Sequence, residues 1–258
     1  MSEALRGKRV LITGASSGIG RAIALQAAHA GADLALCGLE ESAGRELEGV
    51  LRDAGRRGFY RAFDLTDLEA TRSFVRAAVV ALGGLDGVVN NAGTNFFHGV
   101  LGSSEADIVR CFAIDFYPAW AIAQEAYAAL KAERGIVINI ASIHAERTEA
   151  GAFPYNAAKS ALIALTRSLA LEWGSDGIQA VAIAPALIMT PLAERYVAQF
   201  ADPAAERARL AVQHPLRRAG TPDEVAALAI FLLTGQSRFI TGTTIFVDGG
   251  INVQLAPA

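Results

Sequence analysis

Residues 9–20 read RVLITGASSGIG, and residues 21–29 continue as RAIALQAAH. The first five residues are a β-branched and apolar run, the pattern of a strand buried on both faces. The stretch from Gly18 onward is alanine-rich and reads as helix. Between them lie Gly14, Gly18 and Gly20. Glycines let a backbone turn tightly and approach a ligand closely, and the N-terminus of the helix that follows offers unpaired N–H groups and the positive end of its dipole to a phosphate. The stretch predicts an α/β fold that opens with strand, phosphate loop and helix.

Outward from this unit the same alternation continues. Strands are expected at 9–13, 33–37, 58–63, 85–90, 135–141, 179–184 and 244–247. Helices are expected at roughly 18–30, 41–54, 67–82, 104–132, 154–173, 191–212 and 222–234. Thr66 followed by Glu69 has the form of a capping box, and Pro222 fits the first turn of a helix. Near-continuous apolar strands alternating with helices predict a doubly wound parallel sheet with helices on both faces. No linker, repeat or low-complexity tract interrupts residues 1–258, so one dinucleotide-binding and catalytic domain is expected.

Composition narrows the classes. Of 258 residues, 52% are hydrophobic and 19% charged, which is a chain able to bury a large core. The net charge of −3 and the lack of a basic block argue against nucleic acid or an anionic membrane as partner. No signal-like segment or membrane-length apolar run is present, so a cytoplasmic location is expected. Cys37 and Cys111 stand far apart inside apolar segments and read as buried thiols, with no metal site implied.

Three residues in the second half carry chemistry. Tyr155 and Lys159 are four apart in a helical stretch, which puts both on one helix face. An ammonium beside a phenol favours the phenolate and lowers its pKa. Ser142 closes the apolar run GIVINIAS and is placed to hold a substrate oxygen. Together they can move a proton on and off a carbinol oxygen, the task of a general base in oxidation and of a general acid in reduction.

The loop spacing is G-x-x-x-G-x-G. After it come Asn90-Asn91-Ala92-Gly93, then Ser142, then Tyr155-x-x-x-Lys159, then Pro185 with Thr190 beyond it, and Val247-Asp248-Gly249-Gly250. In this order and at these distances the chain resembles the short-chain dehydrogenase/reductase family, in its compact single-domain branch, over about residues 7–252. The resemblance implies a Rossmann-like seven-stranded sheet with NAD or NADP across the strand C-termini. It implies that Gly14, Ser16, Ile19 and Gly20 line the pyrophosphate, that Asp64, with Leu65 after it, meets the adenine, and that Asn91, Ala92 and Gly93 pack near the ribose. Tyr155 and Lys159 would also face the nicotinamide end, with Pro185, Ile188 and Thr190 holding its carboxamide. It further implies a homotetramer, built partly through the helices at 104–132 and 154–173.

Cofactor choice is read at the end of the second strand, where an acidic residue favours NAD and a basic one NADP. Gly38 and Leu39 stand there, Ser17 stands where a basic residue would serve NADP, and Glu40 and Glu41 add negative charge. NAD is expected, with NADP not excluded because Arg21 lies one turn into the first helix. A fourth family position, normally an asparagine that links the lysine to solvent through water, is Asp115 here, and Asp115 is expected to act in the proton relay.

The substrate region comprises Asn95, Phe96, Phe97 and His98, the stretch from His144 to Arg147, and a lid at about 187–214. Asn95 and His144 are locally similar to bacterial 3-hydroxybutyrate dehydrogenases, but the lysine those enzymes place three residues before the tyrosine is Ala152 here. Arg147 is then the candidate partner for a carboxylate. The expected reaction is hydride exchange between NAD(P) and a small secondary alcohol or its ketone, as in a sugar, polyol or hydroxy acid. The rivals are a 3-oxoacyl-type ketoreductase and a non-catalytic dinucleotide-binding protein on the same fold.

Overall fold

A computed structural model describes residues 3–254. Its strands are β1 (Arg9–Thr13), β2 (Asp33–Gly38), β3 (Gly58–Ala62), β4 (Gly87–Asn90), β5 (Ile136–Ile140), β6 (Gln179–Pro185) and β7 (Thr243–Val247). They form one parallel seven-stranded sheet in the order β3-β2-β1-β4-β5-β6-β7. The helices are α1 (Gly18–His29), α2 (Glu41–Asp53), α3 (Leu68–Leu82), α4 (Glu105–Asp115), α5 (Tyr117–Glu133), α6 (Tyr155–Trp173), α7 (Pro191–Val197), α8 (Pro203–Val212) and α9 (Pro222–Leu233).

Alternation along the strands divides the core into two layers. Val10, Ile12, Leu34 and Leu36 point to one face, where Ile23 and Ala27 of α1, Leu47 and Leu51 of α2, and Val225 and Ala229 of α9 cover them. Leu11, Ala35 and Cys37 point to the other, against Phe74 and Ala78 of α3, Ile122 and Ala126 of α5, and Leu169 of α6. Both cysteines are buried and free. The strand order reverses between β1 and β4, which opens a crevice at the C-terminal ends of those strands. Asn90 donates to Asn139 and Asn139 to Thr166, each at 2.8 Å, so a buried polar chain pins α6 to β4 and β5. That anchoring fixes the helix carrying Tyr155 and Lys159.

Three expectations need correction. The helix at 104–132 is two helices, broken at Phe116, whose backbone leaves the helical region (φ −134°, ψ −57°). Pro118, in the first turn of α5, lacks an N–H and collides with a continuing upstream turn, so a single helix cannot pass. The lid helix at 191–212 is likewise two, because Asp202 caps a second start at Pro203 by accepting from the N–H groups of Ala204 and Ala205. The start of α3 is capped by Asp67, which accepts from Glu69 and Ala70 at 3.0 Å, and not by Thr66. The Thr66 N–H is instead held in a turn by Asp64 Oδ1 at 2.9 Å.

Candidate active site

The loop after β1 fits the diphosphate of a dinucleotide. Gly14 has φ +64°, and a Cβ there would come within 2.9 Å of the Ala92 backbone. Ser17 begins α1, but its side chain makes no cap, and the first turn holds no acidic residue. The leading N–H groups of α1 therefore remain without a side-chain acceptor. Asn91 braces the loop: its Nδ2 donates to the carbonyls of Thr13 at 2.9 Å and Gly14 at 3.2 Å. Thr13 Oγ1 accepts from the N–H groups of Asn91 and Ala92 at 3.0 Å. The segment after β6 reaches the same place, since a Cβ on Gly18 would lie 3.2 Å from Thr190 Cγ2. Thr190 caps α7, and Ile188, after Pro185 at the end of β6, is buried. Asp64 and Leu65 follow β3, with Asp64 exposed and Leu65 buried. Leu39 is 71% exposed just past β2.

Ser142, Tyr155, Lys159 and Asp115 are brought together at the ends of β5, α4 and α6. Lys159 Nζ lies 3.2 Å from Asp115 Oδ1 and donates to the Ile140 carbonyl at 3.2 Å. Asp115 Oδ1 also accepts from the Thr94 N–H at 3.2 Å. Both partners are almost fully buried, with Cys111 Sγ at 4.0 Å from Asp115 Oδ2. The ammonium stands 5.6 Å from the Tyr155 ring centre. Gly93 makes the pairing possible, because a Cβ there would strike Asp115 Oδ1 and come within 3.0 Å of Lys159 Nζ.

Electrostatics revise one expectation. Burial raises the Tyr155 pKa, Lys159 pulls it down, and the Asp115 charge pushes it up again, so the net direction is upward. The sequence leads to a phenol whose pKa the lysine lowers, whereas burial and the Asp115 carboxylate together outweigh the lysine. Burial also raises the Asp115 pKa against the pull of Lys159. For Lys159, burial lowers the pKa, but Asp115 and then Tyr155 outweigh it and hold the ammonium charged. A nicotinamide bound in its oxidised, positive form would supply further charge favouring the phenolate.

Around Tyr155 stands an aromatic wall. Phe97 lies edge-on to Tyr155 at 5.3 Å, to His144 at 5.6 Å and to Tyr196 of α7 at 6.1 Å. His144 Nδ1 is 3.3 Å from Thr148 Oγ1, and burial lowers the imidazole pKa, which keeps the ring neutral near pH 7. Asn95 is half-buried on the segment leading to Phe97. Arg147 is not brought to this group. Its guanidinium donates to the carbonyls of Ile251, Asn252 and Gln254 and so binds the C-terminal segment. Tyr196 was hidden in the alanine-rich lid sequence, where it and Phe200 give no sign of which way they point.

The comparisons with known proteins agree with this geometry. A family described as enoyl-(acyl carrier protein) reductase matches residues 14–252. L-fucose dehydrogenase of Oryctolagus cuniculus is 36% identical over 255 residues, covering 97% of this chain and 87% of the relative. The chain belongs to the short-chain dehydrogenase/reductase family. Gluconate 5-dehydrogenase of Gluconobacter oxydans strain 621H is 32% identical over 257 residues, covering 97% of each. A solved 7α-hydroxysteroid dehydrogenase complexed with NADH superposes with a TM-score of 0.88 at 27% identity, covering 96% of each chain. The protein is an NAD(P)-dependent oxidoreductase that interconverts a secondary alcohol and its ketone. Among the described residues, no helix is long and apolar enough to cross a membrane.

Proposed function

We propose that this enzyme uses NAD and acts on a small, neutral, polyhydroxylated alcohol such as a sugar or polyol. Tyr155 takes the hydroxyl proton as phenolate, Ser142 holds the substrate oxygen, and Lys159 stabilises the phenolate and steadies the nicotinamide ribose. Asp115 holds Lys159 in place and joins the proton relay. A bound nicotinamide would accept the hydride from the carbinol carbon, and in reduction would return it by the same path.

The observation that carries the substrate class is the direction of Arg147. Its guanidinium is spent on backbone carbonyls, and Ala152 replaces the other expected cation. A carboxylate would therefore enter without either of these two cations, which is costly in a partly buried site. Neutral His144 and Asn95 suit hydroxyl groups, which both give and accept hydrogen bonds. The relative named for L-fucose supports a neutral sugar, while the one named for gluconate, itself a carboxylate, supports only the polyhydroxylated character.

Several features support NAD. Leu39, Glu40 and Glu41 present no positive charge beyond β2. Arg21, the one basic residue that argued for NADP, is paired with Glu46. We further propose a homotetramer in the cytoplasm, with residues 1–258 forming a single domain whose lid spans about 187–214.

The deciding experiment follows reduced-nicotinamide absorbance with NAD+ and NADP+ across sugars, polyols, hydroxy acids and simple alcohols. The largest kcat/KM is expected with NAD+ and a neutral sugar or polyol. Faster turnover of hydroxy acids would overturn the substrate class. Cofactor binding without turnover of any alcohol would favour a non-catalytic role.

A further inference from the structure

Two glycines and one tyrosine form an arrangement at the end of β2 that packing alone does not explain. A Cβ on Gly38 would come within 2.5 Å of Tyr60 Oη and 2.9 Å of Ser16 Oγ. A Cβ on Gly44, inside α2, would strike the Tyr60 ring, with Cε1 at 2.5 Å. Glycine inside a helix weakens it, and glycine ending a strand gives up a side-chain contact. Both glycines make room for Tyr60, whose backbone N–H is tied to α2 through Glu48 Oε1 at 2.8 Å.

The phenol at the end of that side chain is buried and has no aligned hydrogen-bond partner. Burial pushes its pKa up to about 12, with the neighbouring Ser16 hydroxyl pulling the other way. It is a neutral group that needs an acceptor, and Ser16 of the phosphate loop stands beside it. Gly38 lies 20 residues beyond Gly18. At about that distance dinucleotide-binding folds place the acidic side chain that bonds the adenosine ribose. Here the space of that side chain is filled by the Tyr60 and Ser16 hydroxyls.

We propose that Tyr60 is a positioning residue for NAD: it donates to Ser16 Oγ and turns the Ser16 proton toward the 2′-hydroxyl of the adenosine ribose. The pair brings no positive charge to a 2′-phosphate, and exposed Leu39 with Glu40 lies just beyond it. This rests on the dehydrogenase reading and assigns its cofactor preference to residues outside β2.

The test is calorimetric binding of ADP-ribose and 2′-phospho-ADP-ribose to the wild type, Tyr60→Phe, Ser16→Ala and the double variant. Phenylalanine keeps the ring against Gly44, so the fold is preserved. Each single variant should weaken ADP-ribose about tenfold, the scale of one hydrogen bond between neutral groups. The double variant should be no weaker than either single one, and preference over the 2′-phospho ligand should shrink in parallel. Wild-type affinity in Tyr60→Phe, or losses that multiply to about a hundredfold in the double variant, would overturn the coupling. A wild type that binds neither ligand would overturn the dehydrogenase reading, and this inference with it.

Discussion

Lys159 Nζ stands 3.2 Å from Asp115 Oδ1, a direct and buried ion pair at the position where the family normally carries an asparagine and a water. Two consequences follow for Tyr155. The ammonium favours its phenolate, while the carboxylate behind it offsets part of that effect. Asp115→Asn keeps an oxygen for the Thr94 N–H and for Lys159 but removes the negative charge. Tyr155 then ionises more easily, so the acidic limb of kcat for alcohol oxidation moves to lower pH. At pH 7 oxidation should quicken by about tenfold for each 1.4 kcal/mol of repulsion removed. A pH–rate profile of the variant that overlays the wild type would end this account.

The same pair makes a stability prediction. Lys159→Met leaves a buried carboxylate without its cation, a loss of about 3–5 kcal/mol in comparable pairs. Adding Asp115→Asn removes the stranded charge and should recover most of that loss. Urea denaturation of the two single variants and the double variant gives the coupling directly. Additive losses would mean the two groups do not stabilise each other.

Much of this was legible in the sequence. The seven strands follow from apolar runs between glycine-rich turns, and Tyr155 and Lys159 share a face because four residues make about one helical turn. Asp115 as the partner of Lys159 was also readable from position. What the sequence hid depends on contacts between distant segments. Pro118 breaks a helix that its alanines would continue. Arg147 looks like a substrate cation until residues 251–254 fold back onto it. Tyr60 gains meaning only when Gly38 and Gly44 are seen to clear its path.

Arg147 ties the loop that carries His144 to the C-terminal segment, and its removal should be felt at the substrate site. Arg147→Ala loses donors to three carbonyls. KM for a neutral polyol should rise about five- to tenfold, the scale of one or two neutral hydrogen bonds, with kcat changed by about twofold or less. Steady-state kinetics with neutral and acidic substrates separates the alternatives. A loss confined to acidic substrates would show that Arg147 binds a carboxylate after all.

Catalysis itself depends on the Tyr155 hydroxyl. Tyr155→Phe keeps the ring edge-on to Phe97 and His144 but has no proton to move. Its kcat should fall by about 10²–10⁴, the usual contribution of a general acid or base, while NADH affinity stays within a few-fold. Full turnover in this variant would remove Tyr155 from the mechanism.

Acid should weaken the fold at the start of α9. Thr221 and Glu224 form a capping box there, and Arg218 reaches the same carboxylate at 2.6 Å. The Arg218 hydrogen bond and the Thr221 N–H hold the Glu224 pKa at about 2, against an ordinary 4.5. The folded pKa lies below the unfolded one, so the stabilisation is complete above pH 4.5 and is lost as pH falls toward 2. Both side chains are substantially exposed, 51% for Arg218 and 41% for Glu224, so water screens the pair and about 1 kcal/mol is the upper expectation. Glu224→Gln should lower Tm by roughly 2–4 °C at pH 7. The gap should narrow steadily from about pH 4.5 toward pH 2, as the unfolded chain takes up the proton that the folded carboxylate still refuses. A gap that stayed constant across that range would mean the carboxylate's charge contributes nothing to the cap.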